Sequence, residues 1–277
     1  MLKRILVLMG ESPSSEAARE YAFRLARSTG CELAGLAGID LTFIESREPV
    51  PLGGMAFKTI GERQLREEAE AARARLRDKF REECSARDVT FEWLSFTGDP
   101  AATLLLAAET RDILITGYDT TFHGKTRESL AAMIERLLLT SPRPVIVCPD
   151  KLPAGAGVLI AYDGSIPSMR AVQMFALLGI AKELRLEVTS IDPDEETAAR
   201  RCSAAAIYLR GHGYDVGVVP IASRTHPAEV LKIEMAERDV GTLVMGSYGH
   251  RGFREALFGS TTRRLVDDLR CAYFIYH

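Results

Sequence analysis

The residue types best suited to chemistry are concentrated in MGSYGHRGFREALFGSTTRRL, residues 245–265. Gly246, Gly249 and Gly252 punctuate this stretch, and Gly259-Ser260-Thr261-Thr262 opens the helix expected after it. Glycine lets backbone N–H groups approach an anion with no Cβ in the way. A helix start adds unpaired donors and the positive end of its dipole. Ser260, Thr261 and Thr262 bring hydroxyls, while His250, Arg251, Arg254, Arg263 and Arg264 bring positive charge. Such a set points to phosphate. A second candidate is Asp163 in AYDGS (161–165), at a strand end, where a carboxylate can meet a ribose hydroxyl. Each has a plainer alternative: a turn with an N-cap serine for the glycines, an Asp-Gly turn for Asp163, and a solvated side chain for His250.

Those residues need strands and helices to hold them, and the chain supplies the set twice. GDPAATLLLAAETRDILITG (98–117) and THPAEVLKIEMAERDVGTLVMG (225–246) share Pro-Ala, an amphipathic run, Ala-Glu, Arg-Asp, a β-branched strand and a closing Gly. A period this long means duplicated domains and not a solenoid of 20–50-residue units. Apolar periodicity predicts, in copy one, strands at 2–9, 31–39, 89–96, 112–116 and 144–148 and helices at 13–29, 61–86, 100–110 and 127–140. Copy two repeats the order, with strands at 156–162, 184–191, 215–221, 240–245 and 271–276. Its helices fall at 167–181, 195–212, 227–238 and 260–269. Strict alternation implies an α/β fold with parallel sheets and helices on both faces. PDKLPAGAG (149–157) is the linker, dividing the chain into domains 1–149 and 156–277. In such sheets ligands bind beyond the carboxyl ends of the strands, where Asp163 and the glycine-rich stretch both fall.

Composition narrows the function. Of 277 residues, 47% are apolar and 26% charged, with net charge −3, which suits two globular domains. No run of 18 uncharged apolar residues exists, so no membrane segment is expected. The start, MLKRILVLMGESPSS, reads as a strand and lacks a signal peptide's cleavage site, so a cytoplasmic location is expected. Residues 1–150 hold 20 basic and 23 acidic side chains and 151–277 hold 15 of each, a balance that argues against nucleic acid as a partner. Cys31, Cys84, Cys148, Cys202 and Cys271 are scattered, with no CxxC and no zinc spacing, and read as reduced, buried thiols.

With these residues in place the sequence resembles the universal stress proteins. Members with a nucleotide site carry Gly-x2-Gly-x9-Gly-Ser/Thr between the fourth strand and the last helix. Here Gly246-Ser247-Tyr248-Gly249, nine residues, and Gly259-Ser260 match it, and Asp163 matches the family's strand-one Asp. The resemblance spans essentially the whole chain. It implies two tandem doubly wound, five-stranded, Rossmann-like domains, the second binding ATP with magnesium. The implied nucleotide-binding residues include Met245, Gly246, Tyr248, Gly249, His250, Arg251, Gly259, Ser260, Thr261 and Thr262, with the phosphates on the Gly246–Ser260 loop. Ala161, Tyr162 and Asp163 are implied nucleotide-binding residues too, and adenine would lie near the end of strand two, around Ile191. The two copies would pack as a family dimer does, pairing strands 144–148 and 271–276; a further homodimer stays open.

Copy one departs from the pattern. After its fourth strand it reads GYDTTFHGKTRESLAAM (117–133), without the Gly-x2-Gly spacing, and Gly10 or Glu11 stands where copy two has Asp163. The expectation is a retained fold and a lost nucleotide site. Gly124-Lys125-Thr126 imitates the end of a P-loop, but six residues separate Gly117 from Gly124 where the motif needs four. About twenty extra residues near 40–60, including EPVPLGG (48–54) and the apolar Leu41, Phe43, Ile44, Val50, Leu52, Met55 and Phe57, form a lid, a docking surface or simple packing. His226 and His123 read as cap or surface residues, His212 as a cation at a helix end, Trp93 as core, and the charges on helix 61–86 as a solvated face. No Walker-type acid, HxGH or SGGxDS occurs. The reading is therefore a regulatory nucleotide binder with at most slow hydrolysis. Slow ATPase action at the same loop and a nucleotide-free interaction protein are the alternatives.

Overall fold

The computed structural model of the chain describes residues 1–45, 55–118, 136–138, 141–247 and 259–277. Copy one runs β1 (Arg4–Leu8), α1 (Pro13–Thr29), β2 (Glu32–Asp40), α2 (Leu41–Ile44), α3 (Met55–Ala86), β3 (Phe91–Gly98), α4 (Pro100–Glu109), β4 (Ile113–Thr116) and β5 (Val145–Val147). Copy two runs β6 (Gly157–Ala161), α5 (Ile166–Leu178), β7 (Arg185–Asp192), α6 (Glu195–Gly211), β8 (Asp215–Ala222), α7 (Pro227–Glu237), β9 (Val240–Gly246), α8 (Ser260–Val266) and β10 (Ala272–Tyr276). The expected helix 127–140 lies outside the described residues except at 136–138, which are helical. EPVPLGG (48–54) and the P-loop look-alike Gly124-Lys125-Thr126 lie outside them too.

Local chemistry explains the element ends. Ser12 Oγ accepts from the Ser15 amide at 3.2 Å, Pro13 opens α1, and Gly30 closes it at φ 69°. Ser165 caps α5 in the same way, and Gly179 at φ 70° ends it at Leu178, three residues short of the expected 181. Helix α8 ends at Val266 rather than 269, because Asp267 and Asp268 put negative charge at the negative end of the helix dipole. Helix α3 starts six residues earlier than expected, at Met55. The one-turn α2 is too short for apolar periodicity to announce it; Asp40 Oδ1 caps it by accepting from the Phe43 amide at 3.1 Å.

The strands form one sheet in the order β3-β2-β1-β4-β5-β10-β9-β6-β7-β8. Within each copy every pairing is parallel. The copies join antiparallel, with Tyr273 opposite Val147, Phe274 opposite Ile146 and Ile275 opposite Val145. This is the strand pairing that the resemblance implies. Burial seals the joint, since Ile146, Tyr273 and Phe274 are fully buried. Each such side chain contributes roughly 1.5–3 kcal/mol on removal from water. Across the joint, the Tyr21 hydroxyl on α1 hydrogen-bonds Thr242 Oγ1 on β9 at 2.8 Å, and the Leu2 amide donates to the Leu178 carbonyl at 2.7 Å.

Apolar cores cover both faces of the sheet. One gathers Ile5, Phe80, Phe175 and Phe274, and the other Leu6, Leu36, Leu243 and Tyr273. Trp93 packs as expected beside Phe80, ring centroids 6.1 Å apart. All five cysteines are unpaired and buried. Among the described residues no helix is long and apolar enough to cross a membrane.

Candidate functional site

A cavity of about 260 Å³ opens at the carboxyl ends of β6, β7 and β9. It is lined by Ala161, Tyr162, Asp163, Ile191, Met245, Gly246, Gly259, Ser260, Thr261 and Thr262, ten of the fourteen residues that the sequence singles out. The other four, Tyr248, Gly249, His250 and Arg251, lie outside the described residues. The strands bring the ten together because β6 and β9 are neighbours in the sheet and β7 lies beside β6.

The cavity has an apolar side and a polar rim. Ala161, Ile191, Leu231 and Met245 form the apolar side. On the rim, Asp163 Oδ1 accepts from the Ser165 amide at 2.9 Å, across a turn in which Gly164 takes φ 78°. Burial, followed by the adjacent Asp163 carboxylate, pushes the Tyr162 phenol up, so Tyr162 stays neutral. Gly246 is required for packing: a Cβ there would stand 2.6 Å from the Pro167 carbonyl carbon and from the Ser168 nitrogen. Gly259 has no side chain to cap α8, and Ser260, the first residue of that helix, is exposed at the cavity edge. The Ser260 hydroxyl lies 3.2 Å from His226 Nε2. With seven residues α8 is a short helix, so the hydroxyls and backbone of 259–262 matter more here than its dipole.

Several lining residues escaped the sequence. Arg201 on α6 reaches over Gly164 and pairs through Nη1 with Asp192 Oδ2 at 2.8 Å. The Asp194 amide donates to the other oxygen of Asp192 at 3.0 Å, so both carboxylate oxygens are engaged. Ser165, Ser168, Thr189, Ser190 and Pro227 complete the wall. Ser190 carries a buried hydroxyl that has no hydrogen-bond partner among the described residues. Asp192 could have been found by extending the carboxyl-edge rule one residue past Ile191. Arg201, on a helix with no distinguishing pattern, could not. Among the described residues no three His, Cys, Asp or Glu side chains cluster in a way that could hold a metal ion.

Copy one fills the corresponding region with its own side chains. Ile5 pairs with Leu33 as Val158 pairs with Leu186, which sets Gly10 at the place of Asp163 and Gly38 at that of Ile191. The Phe96 ring occupies the space that a side chain at Gly38 would need. Next to Gly10, the Glu11 carboxylate is held by Arg75 of α3 through two hydrogen bonds, 2.9 and 3.2 Å long.

Comparison with known proteins agrees with this architecture. The family model described as "Universal stress protein family" matches residues 1–149 and 157–277. A universal stress protein from Archaeoglobus fulgidus DSM 4304 superposes with a TM-score of 0.72 at 19% identity, covering 99% of this chain and 95% of that one. A functionally unknown protein, PA1789 from Pseudomonas aeruginosa PAO1, superposes with a TM-score of 0.59 at 17% identity, covering 99% and 92%. Among curated proteins, Universal stress protein Slr1230 of Synechocystis sp. (strain ATCC 27184 / PCC 6803 / Kazusa) is 26% identical over 140 residues, 50% of this chain. The match spans about half the length of that relative, 48%. Because the family model runs through both copies and nearly every residue, the chain belongs to the universal stress protein family.

Proposed function

We propose that copy two binds ATP, with magnesium, in the cavity beyond β6, β7 and β9, and that occupancy of this site is the protein's regulatory output in the stress response. The observation that carries the reading is the convergence of ten sequence-selected residues, scattered over a hundred positions, on one cavity. Its chemistry fits the ligand. Adenine packs on the apolar side formed by Ile191, Leu231 and Met245, and the ribose meets Asp163. The phosphates lie along Gly246–Ser260, where the hydroxyls of Ser260 and Thr261 donate to their oxygens, while the Thr262 hydroxyl donates to the Gly246 carbonyl and braces the turn. Magnesium, when bound, would neutralise phosphate charge. Copy one, filled by Phe96 and by the Glu11–Arg75 pair, leaves adenine no equivalent seat.

Calorimetric titration of the nucleotide-stripped chain with ATP and magnesium tests this. One site per chain is expected, abolished by Gly249→Asp, which puts a carboxylate among the phosphates while folding survives. Absence of binding by the folded wild-type chain overturns the reading. Two sites per chain overturn the assignment of copy one as silent.

A further inference from the structure

We infer that His226 is a positioning residue for the Ser260 hydroxyl, holding it as a hydrogen-bond donor so that the cavity selects an acceptor, such as a phosphate oxygen, at that point. The inference rests on the nucleotide reading above and adds to it a residue outside the glycine motif.

His226 is an unusual helix cap. The other side chains that cap described helices are Ser12, Asp40, Asp99, Ser165 and Asp194, all short oxygen acceptors of the preferred type. Copy one's counterpart of His226 is Asp99, which accepts from the Ala101 amide at 2.9 Å. Capping alone is therefore served by an aspartate at this place in the fold. Histidine does something more, because its ring has a second nitrogen.

The two nitrogens are occupied differently. Nδ1 accepts from the Ala228 amide at 3.2 Å, so it carries no proton. In the neutral ring the single proton then sits on Nε2, which faces Ser260 Oγ at 3.2 Å. Nε2–H donates and Oγ accepts. With a lone pair of Oγ engaged in this way, the serine's own proton turns away from the histidine. Ser260 lines the cavity, so its O–H, barred from the histidine, is left to donate to a ligand acceptor there. The same tautomer excludes His226 as a base for Ser260, since the facing nitrogen already holds a proton.

The test is a double-mutant cycle on the full chain, titrated with ATP and magnesium. His226→Asn retains a preferred cap for the Ala228 amide but ends at the level of Nδ1, short of Ser260. Its melting temperature is expected to match wild type, while the ATP Kd rises about fivefold, the effect of one neutral hydrogen bond. Ser260→Ala is expected to weaken ATP to a similar degree, and the double variant to bind like Ser260→Ala alone. Wild-type affinity in His226→Asn, or an equal loss from it with and without Ser260, overturns the inference while leaving ATP binding standing. Failure of the wild-type chain to bind ATP overturns both. An imidazole nitrogen spectrum of the wild-type chain showing the His226 proton on Nδ1 overturns the inference whatever the variants do.

Discussion

Phe96 on β3 lies directly opposite Gly38 on β2, and its ring covers the glycine where a side chain would otherwise rise. The matching pair in copy two is Ile221 opposite Ile191, and there Ile191 lines the cavity. A glycine and an aromatic residue have in effect exchanged volume across two neighbouring strands. This accounts for the difference between the copies in packing terms, with the fold unchanged.

Gly38→Val should therefore overpack copy one and cost roughly 1–3 kcal/mol, read as a lowered urea midpoint. Phe96→Leu in the same chain should return part of the loss. An unchanged midpoint for Gly38→Val would show that the ring moves aside freely.

Gly246 and Gly61 should respond in opposite ways to alanine. At Gly246 the new methyl meets the backbone of Pro167 and Ser168, which cannot swing away as a side chain can. Gly246→Ala should lower the melting temperature by several degrees and weaken ATP as β9 and α5 separate. At Gly61, inside α3, nothing lies within 4 Å of an added Cβ. Gly61→Ala should gain roughly 0.5–1 kcal/mol by reducing the backbone entropy of the unfolded chain.

Alkaline pH should destabilise the protein. Burial pushes the Cys84 and Cys271 thiols up to about 12 from 9.0, and it moves Cys148, Tyr21, Tyr214 and Tyr273 in the same direction. Folding therefore favours the neutral forms of these groups. Their contribution is fully present below the unfolded thiol value near 9 and is lost as pH rises through the folded values, because the unfolded chain then releases protons that the folded chain keeps. Urea midpoints at pH 8, 9.5 and 11 should fall steadily, and the native thiols should react slowly with disulfide reagents at pH 8. A flat profile would contradict the burial of these groups.

Much of this was legible in the sequence because local signals and tertiary demands agree. Buried strands such as RILVL and AYFIY read as continuous apolar runs, and the Ser12-Pro13 start and Gly30 stop of α1 are plain in the residues. The Gly-Ser spacing carried Gly246, Gly259 and Ser260 to one cavity. Where the reading slipped, a signal was weak or non-local. Met55–Ile60 offers no cap to announce the start of α3, and the Asp40 cap of α2 stands before only four helical residues. Gly179 is an ordinary C-terminal stop, yet the apolar Ile180-Ala181 beyond it prolongs the helical pattern past the true end. Arg201 and His226 reach the cavity region from helices whose periodicity speaks only of their buried faces, and His226 looked like a bare cap because the link to Ser260 joins residues 34 positions apart.

The antiparallel seam between β5 and β10 also gives the molecule a direction. Strands of the two copies run opposite ways, so their carboxyl edges open at opposite ends of a ten-stranded sheet whose width is roughly 43 Å at strand spacing. The cavity of copy two and helix α2 of copy one thus address different sides of the surroundings. Because each copy's inner edge strand is already spent on the other, a second chain cannot add itself at that seam. The edges left are β3 and β8, and Pro220 on β8 withholds one backbone donor from any strand that would extend the sheet there. The duplication makes a single asymmetric body, with an open cavity at one carboxyl edge and the Phe96 ring packed over Gly38 at the other.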